Sequence, residues 1–300
     1  MSRVLLIFID GLGIGQRAPH NPLARLGEEA APLAVFAGEE PRLPAGGVLV
    51  RTDARLGVEG RPQSASGQTT ILTGVNVPAR LGYHKQGFPN EDMRALIHEH
   101  SIFKQLRDLG AGPNTFANAY TPGFFSERPR WVSATTVAVE AAGLNFRTLE
   151  DAARGRAVFM DYTNNLLRER GFDAPARTPE EAAAVLCALA ESHRFTLYEY
   201  FITDRVGHAQ DMDGALAVLS GLARLVRAVL ARVDLARTTV MLTSDHGNVE
   251  DLSVRNHTLN DVPTLAWGPG RETIRRRVRD LADITPAIIE IISATKAANA

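Results

Sequence analysis

The run Val4-Leu5-Leu6-Ile7-Phe8-Ile9 is apolar at every position and stops abruptly at Asp10-Gly11. A strand with one wet face alternates apolar and polar side chains, whereas a strand covered on both faces does not. The run therefore predicts a central strand of a parallel sheet with an acid at its tip. Parallel strands need crossover connections, usually helices, which cover the sheet. Two later segments follow the same plan. Phe195 to Thr203 reads as a strand ending at Asp204-Arg205-Val206-Gly207-His208, and Val240-Met241-Leu242-Thr243-Ser244 as one ending at Asp245-His246-Gly247-Asn248. The expected fold class is α/β, with a mostly parallel central sheet and helices on both faces.

At 300 residues and 45% hydrophobic content the chain can bury a large core, and we expect one domain over 1–300. Its net charge of −1 gives no nucleic-acid footprint, and Arg275-Arg276-Arg277 with Arg279 reads as a solvated face. Cys187, the one cysteine, lies in an Ala/Leu-rich helical stretch, so no internal disulfide can form and a buried, inert thiol is expected. The first apolar run is too short for the core of a signal peptide, and no run approaches membrane-spanning length. These features predict a cytoplasmic protein with neither membrane nor nucleic acid as partner.

Between the three runs the chain carries other signals. Gly11-Leu12-Gly13-Ile14-Gly15 lacks the spacing of a dinucleotide fingerprint. Val48-Leu49-Val50 predicts a strand. Pro62 to Gly74 reads as a loop entering a short helix closed by glycine, with Ser64 or Ser66 as N-cap, or a serine there as nucleophile. Residues 76–90 are loop-like, with His84 and Lys85 read as solvated. Ser101 is expected to cap a helix through Leu109, and Thr115 to Tyr120 to form a strand. Residues 121–177 hold short helical stretches. Thr178-Pro179-Glu180-Glu181 has capping-box spacing and opens a helix to about His193. A Leu/Val stripe from Ala215 to Val233 predicts a core helix, Val262 to Trp267 a strand, and Thr285-Pro286 the last helix.

An Asp-His pair in a loop is by itself an ordinary hydrogen-bonded turn. Convergence distinguishes these, because ligands in open α/β sheets gather outside the carboxyl ends of strands. Asp10, Ser64, Asp204, His208, Asp245, His246 and His257 together supply enough oxygen and imidazole donors for two divalent ions, Zn²⁺ or Mn²⁺.

At these residues the chain resembles the alkaline phosphatase superfamily, within it the branch of cofactor-independent phosphoglycerate mutase and phosphopentomutase. The resemblance rests on Asp204 to His208, Thr243 to Asn248, and His257-Thr258-Leu259-Asn260-Asp261-Val262-Pro263, with Ser64, Gly67 and Gly74 similar to the nucleophile segment. It implies an alkaline-phosphatase-like core, one metal held by Asp204, His208 and His257, and another by Asp10, Asp245, His246 and the Ser64 oxygen. Ser64 would be the catalytic nucleophile, passing through a phosphoserine intermediate while the ions stabilise attacking and leaving oxygens from about 4 Å apart. Ser66, Thr69 and Arg205 are candidate phosphate contacts.

Two departures stand out. Gln68 occupies the place where the phosphoglycerate mutases usually carry histidine, and the large inserted cap is missing or much reduced. Residues 76–100 are too few for it, and a small lid is expected instead within 121–177. A mutase must retain its dephosphorylated intermediate, so loss of the cap argues for hydrolysis. The expected function is a phosphatase or phosphodiesterase acting on a small phosphorylated substrate, with a minimal-lid phosphomutase or a non-catalytic metal-binding protein as alternatives.

Overall fold

The computed structural model describes residues 2–297. Its strands, in chain order, are β1 (Arg3–Ile9), β2 (Val48–Thr52), β3 (Asn114–Phe116), β4 (Ala119–Tyr120), β5 (Arg147–Thr148), β6 (Phe195–Tyr200), β7 (Thr238–Ser244) and β8 (Val262–Trp267). Six of them form one sheet in the order β2-β8-β7-β1-β6-β3, while β4 and β5 pair separately. β1 lies parallel to both β6 and β7, and β3 parallel to β6; β8 runs antiparallel to β7 and to β2. The fold is α/β with a mostly parallel sheet, as the continuous apolar runs require.

Side chains of β1 alternate between two cores. Leu5, Ile7 and Ile9 join the core under the helices Pro179–Ser192 and Met212–Arg232, whereas Val4, Leu6 and Phe8 join the one under Ser64–Thr73, Ala134–Ala141 and the final helix. Helices thus cover both faces. The register sets Ile9 opposite Tyr200 on one side and Ser244 on the other, so β1, β6 and β7 end level and their next residues emerge at one edge.

Several local expectations change. The strand predicted through Thr203 stops at Tyr200; Ile202–Ala209 is a helix, anchored where the Thr203 hydroxyl donates to the Asp10 carbonyl at 2.6 Å. Thr115 to Tyr120 divides into β3 and β4. Neither Ser64 nor Ser66 caps the helix Ser64–Thr73, whose N-cap is Gln63 without a side-chain bond. Ser101 precedes Ile102–Asp108 but spends its hydroxyl on the Ala138 carbonyl. The Thr178 capping box is present, and Cys187 is a buried thiol. Met212–Arg232 corrects the expectation that no segment approaches membrane-spanning length: by length and composition it qualifies. Its Leu219, Leu222, Leu225, Val226 and Val229 are buried in the protein core, which accounts for its apolarity.

Candidate metal centre

Asp204 and His208 stand one turn apart on the helix Ile202–Ala209, so their side chains share a face. His208 Nε2 lies 3.3 Å from Asp204 Oδ2, 3.2 Å from His257 Nε2, and His257 Nε2 lies 3.6 Å from Asp204 Oδ1. The other ring nitrogens fix the protonation pattern. His257 Nδ1 is 2.8 Å from the Pro62 carbonyl and His208 Nδ1 is 2.8 Å from the Arg255 carbonyl. A carbonyl only accepts, so bonding assigns the protons to Nδ1 and leaves the two Nε2 lone pairs facing each other beside a carboxylate. That arrangement is repulsive until a cation enters. Asn248 Nδ2 donates to Asp204 Oδ1 at 2.6 Å and holds the carboxylate in place.

A second cluster sits deeper, from the ends of β1 and β7. His246 Nε2 lies 3.3 Å from Asp10 Oδ1, 3.6 Å from Asp245 Oδ2 and 2.9 Å from Ser64 Oγ. His246 Nδ1 is 3.4 Å from the Gly247 carbonyl, which assigns the ring proton there, so the Ser64 hydroxyl donates to Nε2. Asp10 Oδ1 then faces a lone pair and is buried with no hydrogen-bond partner among the described residues. Gln68 spans both acids, donating to Asp10 Oδ2 at 3.3 Å and Asp245 Oδ2 at 3.2 Å. An amide at this position donates to the two carboxylates and adds no charge of its own.

Electrostatics agree with this geometry. Burial, with the Asp10 charge second, pushes the Asp245 carboxyl up to about 8. Burial and then Asp204 likewise raise Asp10 well above the usual carboxylate range. Burial first, then His246, pushes His257 down to about 4, keeping its imidazole neutral and able to ligate. The rings of His246 and His257 stack at 3.6 Å and 13°, joining the clusters. Carboxylates that resist ionisation, an orphaned buried oxygen and opposed imidazole lone pairs together fit divalent cations.

The centre opens into a cavity of about 650 Å³ lined by Ser64, Asp204, His208 and His257, with Arg61, Gln63, Gln86 and Asn256 at its walls. All seven residues expected as ligands or nucleophile are therefore brought together. The candidate phosphate contacts are not. Thr69 Oγ1 donates to the Ala65 carbonyl; Ser66 Oγ donates to the Gln63 carbonyl and accepts from Lys85 N–H, so both serve the helix and its loop. Arg205 is exposed and lines no part of the cavity. His84 and Lys85 also lie outside its lining, which takes their neighbours Gln86 and Gly87 instead.

Sequence reasoning missed Arg61, Asn248 and Glu250. Glu250 is fully buried and accepts from Gly13 N–H at 2.9 Å, Asn248 N–H at 2.7 Å, Thr258 Oγ1 at 2.5 Å and Asn260 Nδ2 at 3.0 Å. The one available signal was its closeness in sequence to Asp245 and His246.

The fold places two groups of metal-ligand side chains at one edge of the sheet, and comparison with known proteins points to metalloenzymes. Residues 172–296 match the family described as Metalloenzyme superfamily. A 2,3-bisphosphoglycerate-independent phosphoglycerate mutase of Microcystis aeruginosa is 32% identical over 136 residues, taking in 40% of this chain and 26% of the mutase. One from Gloeothece citriformis is 28% identical over 135 residues, 40% of this chain and 25% of the mutase. The match thus spans about a quarter of these relatives. Among solved structures, a Pyrococcus horikoshii protein shares the fold with TM-score 0.56, 16% identity and 97% coverage of each chain. Alkaline phosphatase from the Antarctic bacterium TAB5 does so at 0.50, 12% identity and 97% of each chain. The chain thus has an alkaline-phosphatase-like fold, and its residues 172–296 are similar to the Metalloenzyme superfamily.

Proposed function

We propose that this protein is a two-metal phosphoester hydrolase, a phosphatase or phosphodiesterase for a small phosphorylated substrate, with Ser64 as nucleophile. The observation that carries the reading is the place of Ser64: its Oγ is 2.9 Å from His246 Nε2 and it lines the cavity together with Asp204, His208 and His257. Ser64 thereby touches one ligand cluster and shares the cavity with the other. Two divalent ions, Zn²⁺ or Mn²⁺, held by Asp10, Asp245 and His246 and by Asp204, His208 and His257, would lower the proton affinity of the serine hydroxyl and neutralise charge on the phosphoryl oxygens.

The chain's own groups supply the rest. Ser64 is the first residue of its helix, so the positive end of the helix dipole faces the position a phosphoryl group would take. The start of the helix holds Ser64 Oγ beside the Asp10, Asp245 and His246 cluster, facing the cavity; the Oγ–P bond would form as the ester P–O bond breaks and the leaving oxygen takes a proton, and water would later cleave the phosphoserine. Asp204, His208 and His257 line the same cavity, and an ion held there would serve the leaving oxygen and the incoming water. The proposal includes a single catalytic domain, a short lid within residues 121–177 and a cytoplasmic setting. Exposed Phe125 and Trp131 are the side chains such a lid would close with.

The test uses metal-loaded protein against phosphomonoesters and phosphodiesters, with Ser64→Ala alongside. Release of inorganic phosphate or a monoester by the wild type, with loss of turnover and of phosphoenzyme in Ser64→Ala at unchanged melting temperature, is expected. Full activity in Ser64→Ala would overturn the assignment. Transfer of phosphate within the substrate, without free phosphate, would instead establish a phosphomutase.

A further inference from the structure

We infer that Arg61 is the anion-binding residue of this cavity and the determinant of its preference for dianionic phosphomonoesters over monoanionic diesters. The inference rests on the phosphoester reading above. Arg61 and His257 are tied by a reciprocal pair of contacts: Arg61 Nε donates to the His257 carbonyl at 2.9 Å, and His257 Nδ1 donates to the carbonyl of Pro62, the next residue, at 2.8 Å. The guanidinium is thereby held at the cavity wall at a fixed distance in the chain from the nucleophile Ser64.

With Nε occupied, the two terminal nitrogens of Arg61 have no hydrogen-bond or ion-pair partner among the described residues, although the side chain lines the cavity. Those two nitrogens form the planar fork that matches two oxygens of a tetrahedral oxyanion. Among the described residues no other lysine or arginine lines the cavity; Gln63, Gln86 and Asn256 add neutral amides to its polar wall. One permanent cation among amides adds most to the binding of a group with two negative charges and two free oxygens. A diester phosphorus offers one charge, and its second substituent occupies the space of one of those oxygens. The amides in turn suit a hydrogen-bonding, uncharged remainder of the substrate. The reciprocal bonds also place anion binding and the orientation of the His257 imidazole on one two-residue segment.

The experiment uses the full-length metal-loaded protein, with Arg61→Gln and Arg61→Lys. Inorganic phosphate binding is measured by calorimetry, metal content by elemental analysis, and kcat/KM for one monoester and one diester of the same alcohol. Arg61→Gln should weaken inorganic phosphate binding by about 10-fold or more, the scale of a lost charged hydrogen-bond pair, with metal content unchanged. Monoester kcat/KM should fall by a similar factor through KM, diester kcat/KM by less than about 3-fold, and Arg61→Lys should recover part of the phosphate affinity because it keeps the charge without the fork. Unaltered phosphate binding in Arg61→Gln, or an equal loss for both esters, would overturn the inference. If wild-type protein hydrolyses neither ester while Arg61→Gln still weakens phosphate binding, the hydrolase reading fails and the anion site stands.

Discussion

The backbone N–H of Gly13 donates to the Glu250 carboxylate at 2.9 Å across 237 positions of the chain. The same carboxylate takes the N–H of Asn248 and the side chains of Thr258 and Asn260. One buried acid therefore fastens the loop after Asp10, the loop after His246 and the loop after His257, which among them carry four of the six Asp and His ligands of the proposed centre.

Removal of that acid should loosen all three loops at once. Glu250→Ala strands four donors in a buried space, and we expect a loss of about 3–5 kcal/mol, as for other buried charged groups whose partners are left behind. Glu250→Gln keeps the volume and one acceptor oxygen, so its loss should be smaller, about 1–3 kcal/mol. Urea unfolding of the metal-free protein gives the stability difference, and metal titration should show weakened binding in both clusters. A stable Glu250→Ala variant with normal metal affinity would contradict the role.

Gly11 makes the close approach of two loops possible. Its φ is +72°, and an added Cβ would come within 2.8 Å of Asp204 Oδ1 and 3.0 Å of the Asp204 backbone. Gly11→Ala combines left-handed strain of about 1–2 kcal/mol with overpacking of about 1–3 kcal/mol. The expected result is a lower urea midpoint and reduced metal content, the deficit falling on the cluster that contains Asp204.

The sheet was legible because β1 is apolar from Val4 to Ile9, β7 carries the apolar run Val240 to Leu242, and each strand is followed at once by an acid; burial on both faces writes itself into the sequence. The helix carrying Asp204 and His208 was not, since Phe201-Ile202-Thr203 has strand-forming residues, and what turns them helical is the distant Asp10 carbonyl bonded to Thr203. Asp10, Asp245 and His246 could be named as candidate ligands at strand ends, Asp204, His208 and His257 as ligand types past such runs, and Ser64 through the family resemblance. Arg61 and Glu250 could not, because Arg61 bonds the His257 carbonyl 196 positions away and Glu250 joins its own loop to Gly13 N–H 237 positions away, which no local pattern encodes. Ser66 looked like a cap or phosphate contact, and its buried hydroxyl instead joins its own helix to the Lys85 loop.

Two separate ligand clusters imply independent losses of metal. Asp245→Asn should reduce bound metal from two ions to one per chain, and Asp204→Asn should do the same from the other cluster. The double variant should bind none. These stoichiometries are measured by elemental analysis after dialysis. If either single variant loses both ions, the clusters form one cooperative site; if wild type binds one ion, the two-metal proposal fails.

Without metal, stability should fall as pH rises through the neutral range. Asp245 moves from 3.8 to about 8 on folding, mainly through burial, so the folded state holds a proton that the unfolded chain has lost. A group raised in this way contributes stability that is complete below its unfolded value and disappears as pH rises through its folded one. Asp10 and Glu199, raised by burial as well, act in the same direction. His257 opposes them at lower pH: its value falls from 6.5 to about 4, so between those values the unfolded chain binds the extra proton and stability rises with pH. Above 6.5 the histidine contribution is complete and the carboxyl contribution alone remains. The metal-free protein should therefore have a lower melting temperature at about pH 8.5 than at about pH 6.5, by several degrees. Divalent metal needs the ionised carboxylates and removes their repulsion, so its stabilising effect should be larger at the higher pH. Scans with chelator and with excess metal at both pH values test this. A chelated protein whose melting temperature rises over that interval would show that these three buried carboxyls are already ionised without metal.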